Sequence, residues 1–205
     1  MEKARIAVLV SGGGTNLQAL IDAQQSGMLQ SGEIKLVISN NADAFALQRA
    51  AKADIPTAVV LKKACGSQGA FEEKIKQLLR EDRIDLIVLA GFMSILSERF
   101  TRDYPKRILN VHPSLIPAFC GAGYYGLRVH EEALHYGVKV TGATVHYVNE
   151  IPDGGEIIAQ KAVSIRKKDT PETLQKRVMQ QAEWKILPAA VEKVSKQLLA
   201  VRKDK

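Results

Sequence analysis

Residues 5–16 read R-I-A-V-L-V-S-G-G-G-T-N, and this stretch decides the fold class. The apolar run Arg5–Val10 has the length and composition of a buried β-strand. Three glycines follow it, and a segment with a helical pattern runs from about Asn16 to Ser26. A buried strand, a glycine loop and a helix in this order are typical of the first unit of an α/β domain.

Strand patterns and helical patterns continue to alternate after this unit. The unbroken apolar run Asp85–Ala90 favours a central parallel strand covered on both faces, and Ser67–Asp82 has the spacing of an amphipathic helix. Val138–Val148 and Ile157–Val163 predict two longer antiparallel strands joined by a turn. Shorter elements are predicted at Ile34–Ser39, Ala44–Ala53, Thr57–Leu61 and Ile108–Val111. We therefore expect a three-layer, Rossmann-like α/β domain, with a mostly parallel twisted sheet, helices on both faces and an antiparallel part in the C-terminal half.

The last predicted helices begin at Thr170 and Pro171, because threonine caps helices and proline fits the first helical position. Pro188 is expected to end or kink this helical stretch. Since no repeat, low-complexity segment or linker divides the chain, the prediction is one domain over residues 1–205.

The composition excludes a disordered chain, a collagen and a coiled coil as interpretations of the whole sequence. Hydrophobic residues make up 46% and charged residues 25% of the chain, which is ordinary for a globular protein. No window approaches the roughly 18 apolar residues of a membrane helix, so we expect no membrane partner. The start of the chain shows no secretory signal, and Cys65 and Cys120 form no CxxC motif. We therefore expect reduced thiols and a cytoplasmic location.

The net charge of +7 is concentrated in one segment. Residues 161–205 hold 12 basic and 5 acidic side chains, whereas the first 160 residues are neutral. A basic segment can attract nucleic acid, but Trp184 is the one aromatic residue in it, so base stacking has little support. We expect no nucleic-acid partner, and attraction of small anionic ligands instead.

The glycine loop Ser11–Asn16 lies where α/β folds bind anions, between a strand and the start of a helix. Leu17 stands where the dinucleotide fingerprint needs its third glycine, and no acidic residue ends the second strand. No lysine follows Gly14, so the loop is not an NTPase P-loop. These features favour a single phosphate, with a tight turn that merely needs glycine as the alternative. We expect a side chain at position 14 to occupy the place of the anion.

Asn110 and His112 are two residues apart at the end of a predicted strand, so their side chains share one face. An amide and an imidazole together can stabilise an oxyanion and move a proton. Asp153, if adjacent, would orient His112. The alternatives are a structural histidine and an Asp-Gly turn at Asp153–Gly154. No spacing resembles a metal-ligand set, so we expect no metal. The other histidines are expected to be structural hydrogen-bonding residues: His130, His135 and His146.

The chain resembles the phosphoribosylglycinamide formyltransferase family over nearly its whole length, from Arg5 to about Pro188. The motifs that carry this resemblance are Ser11–Asn16, Ala90–Leu96, Asn110–Pro117, Val140–His146 and Asp153–Gly155. Four departures from the family pattern stand out. Ser94 stands where arginine is frequent, and Trp184 stands where histidine is usual. The loop Cys120–Gly126 replaces a common Lys-Gly stretch, and the stretch from Arg177 to Pro188 is one residue longer.

The resemblance implies transfer of the formyl group of 10-formyltetrahydrofolate to the amine of glycinamide ribonucleotide, by a monomer or homodimer. It implies a phosphate-binding half at about residues 1–105 and a catalytic and folate half at about 106–205. The residues it assigns to catalysis are Asn110, His112 and Asp153. Those assigned to the substrate phosphate are Gly12, Gly13, Gly14, Thr15 and Asn16, with Gln180 and Glu183 at the ribose. Those assigned to folate are Phe92, Met93, Ser94, Ile95, Leu96, Asn110, Thr144, Glu150 and Asp153.

Other functions on the same domain remain open at this point. Methionyl-tRNA formyltransferase and formyltetrahydrofolate hydrolase use the same co-substrate. The former is expected to carry a further RNA-binding domain, and 17 residues after Pro188 are too few for one. A noncatalytic protein that binds nucleotide phosphate is the alternative from a different class.

Overall fold

Seven strands form one sheet in the computed structural model, which describes residues 2–203 without the side chain of Lys203. Lys205, at the end of the basic segment, lies outside the described residues. The strands are β1 (Ala4–Val10), β2 (Gly32–Ser39), β3 (Thr57–Val59), β4 (Leu86–Leu89), β5 (Ile108–His112), β6 (Val140–Tyr147) and β7 (Ile157–Ser164). Their order is β3-β2-β1-β4-β5-β6-β7. The pairs from β3 to β5 are parallel, and β6 pairs antiparallel with both β5 and β7. The predicted mostly parallel sheet with an antiparallel C-terminal part is confirmed.

Eight α-helices connect and flank these strands in the described residues. They are α1 (Thr15–Gln25), α2 (Phe45–Lys52), α3 (Lys62–Cys65), α4 (Gln68–Glu81), α5 (Glu98–Asp103), α6 (Arg128–Tyr136), α7 (Pro171–Val178) and α8 (Trp184–Lys203). The sequence patterns predicted α1, α2, α4 and the last helices but missed α3, α5 and α6. α3 and α5, of four and six residues, span too few turns for a 3.6-residue periodicity to stand out.

The core consists of two apolar layers, one on each face of the sheet. Alternate residues of β1 divide between them: Ile6 and Val8 pack with α1, α2 and α8, whereas Ala7 and Leu9 pack with α4 and α5. Because both faces are covered, β4 and all of β1 except the partly exposed Arg5 are apolar without alternation and buried. This explains why unbroken apolar runs mark the centre of the sheet.

The C-terminal helices begin as predicted and continue past Pro188. The Thr170 hydroxyl accepts a hydrogen bond from the Thr173 N–H at 3.3 Å, and Pro171 occupies the first helical position. A π-helical turn (Met179–Glu183) joins α7 to α8, and α8 then continues through Pro188. Of the predicted end or kink at Pro188, the structure excludes the end, because buried apolar residues on both sides of the proline pack on the sheet and hold the helix together.

The order of the strands places a crevice between β1 and β4. The chain builds β2 and β3 on one side of β1, and then returns to build β4 and β5 on the other side. Loops that leave the carboxyl ends of such neighbouring strands diverge, and open α/β sheets bind ligands at this point. The glycine loop after β1 and the segment Phe92–Leu96 after β4 both lie at this edge.

Candidate active site

Asn110 and His112 lie on the last residues of β5 and face the same side, as their spacing predicts. His112 is 4% exposed, and its Nε2–H donates to the Phe119 carbonyl at 2.8 Å. Its Nδ1 lies 3.4 Å from Oδ2 of Asp153. The Asn110 amide Nδ2 donates to Oδ1 of the same carboxylate at 3.4 Å. The structure therefore brings the three predicted residues together around one carboxylate.

Asp153 occupies a turn in which the Gly154 N–H donates to the Ile151 carbonyl at 2.9 Å. Its φ of 57° lies in the left-handed region, which aspartate tolerates better than most residues. The Gly121 N–H donates to its Oδ2 at 2.9 Å. Burial acts to raise the pKa of Asp153, but hydrogen bonding and the charges of the neighbouring histidines outweigh it and hold the pKa below its ordinary value. Asp153 therefore forms a turn and also places an ionised carboxylate in the site.

His146 is a fourth member of this cluster, although from the sequence we expected it to be only a structural hydrogen-bonding residue. Its Nδ1–H donates to the Tyr147 carbonyl at 2.8 Å, so Nε2 accepts from the Asn110 amide at 3.2 Å when the imidazole is neutral. The same Nε2 lies 3.5 Å from Oδ1 of Asp153. β6 pairs with β5 so that His146 lies opposite Asn110. The sequence shows a histidine in the neighbouring predicted strand. It does not show the strand register that places this histidine opposite Asn110.

Thr144 does not line the cavity, although it was predicted to contact folate. It is fully buried opposite His112, and its hydroxyl donates to the Ser114 carbonyl at 2.7 Å. The same oxygen accepts from the Ile116 N–H at 3.1 Å and from the Gln160 amide at 3.0 Å. Thr144 therefore fixes the loop that follows β5, beneath the site.

A cavity of about 540 Å³ opens in front of the catalytic candidates. The other predicted folate residues all line it: Phe92, Met93, Ser94, Ile95, Leu96, Asn110, Glu150 and Asp153. The loop Gly121–Gly126 forms another part of its wall. Met93 and Ile95 are 57% and 72% exposed at its mouth. A largely apolar cavity with a few converging polar groups is the usual form of a small-molecule site.

The glycine loop is held from behind by α2. The Gly12 carbonyl accepts from the Ala46 N–H at 3.0 Å, and the Gly13 carbonyl accepts from the Arg49 guanidinium at 2.8 Å. The N–H groups at the start of α1 have no side-chain cap, so they are free to receive an anion. Thr15 is the first residue of α1, directly after this loop.

The structure changes the reason why Gly14 must be glycine. Its φ is 70°, and an added Cβ would approach Cβ of Ala46 to 2.6 Å. A side chain at position 14 would therefore face α2. The expectation that it would occupy the place of the anion was wrong. An added Cβ at Gly12 or Gly13 meets nothing within 4 Å.

Glu183 reaches the start of α1 from the π-helical turn. The Asn16 Nδ2 donates to its Oε2 at 2.7 Å, and the glutamate is 6% exposed. Burial raises the pKa of Glu183 to about 7, against the opposing effect of the Asn16 hydrogen bond. A π-helical turn accommodates one extra residue, which agrees with the longer Arg177–Pro188 stretch. Gln180, predicted beside it, is exposed on the same turn.

The glycine loop and the wall of the cavity are in direct contact. The Ser11 hydroxyl accepts a hydrogen bond from the Met93 N–H at 2.8 Å. This contact bridges the crevice between β1 and β4. A ligand with its phosphate at the glycine loop can therefore extend toward a second ligand in the cavity.

His130 differs from the hydrogen-bonding residue that we expected. It is fully buried, and neither ring nitrogen has a partner among the described residues. Burial, with a smaller contribution from the charge of His112, lowers its pKa to about 4.

Within residues 2–203, no three His, Cys, Asp or Glu side chains are grouped to hold a metal ion. In the same part of the chain, the helices are too short or too polar to cross a bilayer.

Comparison with known proteins agrees with this geometry. The family described as formyl transferase matches residues 4–191. The phosphoribosylglycinamide formyltransferase of Haemophilus influenzae is 44% identical over 187 residues, which cover 91% of this chain and 85% of that protein. The bovine trifunctional purine biosynthetic protein adenosine-3 is 46% identical over 194 residues. The match covers 95% of this chain but only 18% of the length of that trifunctional protein.

Solved structures give the same result. The crystal structure of glycinamide ribonucleotide transformylase 1 from Symbiobacterium toebii superposes with a TM-score of 0.89 at 39% identity. The superposition covers 95% of this chain and 89% of that one. The family resemblance predicted from the motifs is confirmed, and the chain belongs to the formyl transferase family, among relatives named phosphoribosylglycinamide formyltransferase.

Proposed function

We propose that this protein transfers the formyl group of 10-formyltetrahydrofolate to the amine of glycinamide ribonucleotide. One observation carries the proposal: Asn110, His112 and Asp153 converge in a cavity that touches the glycine loop through Ser11 and Met93. The proposed substrate carries a phosphate at one end and the reacting amine at the other. Its phosphate site and the catalytic residues therefore have to lie in connected parts of one crevice. The names of the relatives favour this reaction over formyl transfer to methionyl-tRNA or hydrolysis of formyl-folate.

The proposed reaction forms one bond and breaks another. The amine nitrogen of the substrate bonds to the formyl carbon, the bond from that carbon to N10 of folate breaks, and one proton passes from the amine to N10. His112, when protonated, donates from Nε2 to the Phe119 carbonyl and from Nδ1 to Asp153, so the carboxylate stabilises its charge. We place the proton transfer at this pair, through an ordered water.

Asn110 supplies a hydrogen bond to the oxyanion of the tetrahedral intermediate. Its two amide protons point to His146 at 3.2 Å and to Asp153 at 3.4 Å. The bond to Asp153 is the longer, so the substrate oxygen replaces that one. The His146 contact then keeps the amide oriented. A preorganised oxyanion donor is worth roughly 3 kcal/mol in the transition state.

The proposal needs no covalent intermediate on the protein. Cys120 is the cysteine closest to the cluster in sequence, being next to Gly121, which bonds Asp153. Burial and the charge of Asp153 raise the pKa of the Cys120 thiol, so the nucleophilic thiolate is disfavoured at neutral pH.

The proposal also covers the ligands, the oligomeric state and the cellular compartment of the protein. The substrates are glycinamide ribonucleotide and formyl-folate, with no nucleic acid, metal or membrane, and the active form is a monomer or a homodimer. Free Cys65 and Cys120 support the cytoplasm as the compartment. The single domain over residues 1–205 and its two halves stay predictions.

The test is turnover by the purified protein with both substrates and with each one left out. We expect product to form only when both are present, with no formate released from formyl-folate alone and no transfer to methionyl-tRNA. His112→Ala and Asp153→Asn are each expected to lower kcat by about 10²- to 10⁴-fold, the usual contribution of general acid–base groups.

The matched control is His135→Ala, because this histidine is exposed on α6. Near-native turnover in a folded His112→Ala protein would remove the proposed mechanism. Formate release without glycinamide ribonucleotide would instead favour a hydrolase.

A further inference from the structure

The segment Phe92–Leu96, which we call the folate wall, lines the cavity without regular secondary structure. Among the described residues, it takes part in no backbone–backbone hydrogen bond. Side chains of other elements bind its main chain instead. The Ser11 hydroxyl accepts from the Met93 N–H at 2.8 Å, and the Gln68 amide donates to the Ile95 carbonyl at 3.1 Å. The shape of the folate wall therefore depends on side chains that lie outside it.

The start of α4 contacts the folate wall along its length. The ring of Phe71 stacks on the ring of Phe92, with centroids 6.5 Å apart and planes inclined by 7°. Gln68 holds the Ile95 carbonyl, as described above. Directly after the wall, the Ser97 N–H donates to Oε1 of Glu72 at 2.7 Å. The first turns of this one helix therefore position most of the wall.

Glu72 makes the most hydrogen bonds of these α4 residues, and it is only 4% exposed. Besides the Ser97 N–H, its Oε1 accepts from the Gln68 amide at 2.6 Å. Its Oε2 accepts from the Ser97 hydroxyl, which itself accepts from the Phe100 N–H at 3.2 Å as the cap of α5. One carboxylate therefore fixes the end of the folate wall and orients the amide that holds its middle.

The burial of this carboxylate has a cost that its hydrogen bonds offset. A buried charge is unfavourable unless it is paired or hydrogen-bonded. Lys76, one turn further along α4, pairs with Glu73 and Asp103 rather than with Glu72. The charge of Glu72 is instead compensated by Ser97 and Gln68. Because an apolar residue would fill this position without the cost, the segment that Glu72 fixes explains its place.

We propose that Glu72 is a positioning residue for formyl-folate, which holds the folate wall in the shape that binds the co-substrate and takes no part in formyl transfer. This inference rests on the proposed function. Without the carboxylate, only a fraction of the molecules keeps the wall in this shape, and the KM for formyl-folate rises by the inverse of that fraction. The kcat stays unchanged, because bound co-substrate restores the wall and because Asn110 and His112 lie on β5.

The experiment is steady-state kinetics of the full chain, with 10-formyltetrahydrofolate and glycinamide ribonucleotide each varied in turn. Glu72→Ala removes both bonds to Ser97, so we expect the KM for formyl-folate to rise about 5- to 50-fold. The kcat and the KM for glycinamide ribonucleotide should stay within about 2-fold of wild type.

Two further variants separate positioning from other effects. Glu72→Gln should keep the KM within about 3-fold of wild type, because its amide oxygen can accept from the Ser97 N–H and its N–H₂ group can donate to the Ser97 hydroxyl. Ser97→Ala removes the hydroxyl side of the same contact and should raise the KM about 2- to 10-fold. This variant carries the test if Glu72→Ala does not fold, which thermal melts show.

The matched control is Leu79→Ala, which removes buried apolar atoms from α4 about two turns beyond Glu72. It should lower the melting temperature and leave the KM for formyl-folate unchanged, because Glu72 and Gln68 stay in place. An unchanged KM in the folded alanine variants of Glu72 and Ser97, or an equal rise in Leu79→Ala, would overturn the inference while normal wild-type turnover leaves the proposed function intact. Absence of turnover by the wild type would overturn the function, and the inference with it.

Discussion

Replacement of Glu183 by glutamine is expected to stabilise the folded protein and weaken its binding of glycinamide ribonucleotide. The Glu183 carboxylate is 6% exposed and is held by one hydrogen bond, from Asn16. Oδ1 of Asn16 is buried without a partner among the described residues. In Glu183→Gln, the amide oxygen keeps the existing bond, and the new N–H₂ group can donate to that orphaned oxygen. The variant therefore removes a buried charge and satisfies a buried acceptor.

The magnitude follows from the pKa of Glu183, which burial raises from its ordinary value of 4.5 to about 7. As the pH rises through 4.5, the unfolded chain releases this proton first, and the folded protein releases it only near pH 7. The free energy of unfolding therefore falls with rising pH in this range and reaches its full loss above pH 7. At 1.36 kcal/mol for each pH unit, this loss is about 3 kcal/mol.

Urea unfolding at pH 5 and pH 8 measures this effect as the difference between wild type and variant. We expect Glu183→Gln to be more stable by about 3 kcal/mol at pH 8 and by less than about 1 kcal/mol at pH 5. The exposed Glu131 provides the control, since Glu131→Gln should show no such difference between the two pH values. Because a hydrogen bond to a charged group is worth about 1.5–3 kcal/mol, the KM for glycinamide ribonucleotide should rise about 10- to 100-fold. An equal stability difference at both pH values would refute the reasoning.

Three further predictions concern the glycine loop and two buried histidines. Gly14→Ala should lower the free energy of unfolding by about 1–3 kcal/mol, because its methyl group would meet Cβ of Ala46 at 2.6 Å. Gly13→Ala should not, because nothing lies within 4 Å, and urea unfolding compares the two. His146→Phe should reduce kcat by about 10- to 100-fold with little change in the KM for glycinamide ribonucleotide, and His146→Gln should retain more activity because its amide oxygen can accept the Asn110 bond. His130→Leu should stabilise the protein by about 3 kcal/mol at pH 4 and little at pH 7. The reason is that burial lowers the pKa of His130 from 6.5 to about 4, so the unfolded chain takes up the proton first as the pH falls.

Each of these predictions has an outcome that contradicts it. Equal stabilities of the Gly14 and Gly13 variants would mean that α2 does not require the glycine. Full activity in His146→Phe would show that the amide of Asn110 needs no support. Acid stability unchanged by His130→Leu would mean that this histidine is already charged in the folded protein.

Local sequence was enough to predict most of the fold, because the signals that it carries are short in range. The glycine loop after a buried strand, the apolar run of β4 and the Thr170–Pro171 helix start each depend on neighbours a few residues away. The shared face of Asn110 and His112 also follows from the two-residue period of a strand. Elements of only one or two turns, such as α3 and α5, gave no periodic signal.

The rest of the candidate site depends on register and packing between distant segments. A shift of one residue between β5 and β6 would turn His146 away from Asn110, and nothing in either strand by itself sets that register. The same pairing buries Thr144 opposite His112, beneath the cavity. The π-helical turn directs Glu183 toward Asn16, which is 167 residues away in the chain. The sequence by itself therefore determined which residue types were available and on which strand ends and loops they stand. Only the tertiary structure decided which of them meet, because contacts between distant segments depend on how whole strands and helices pack.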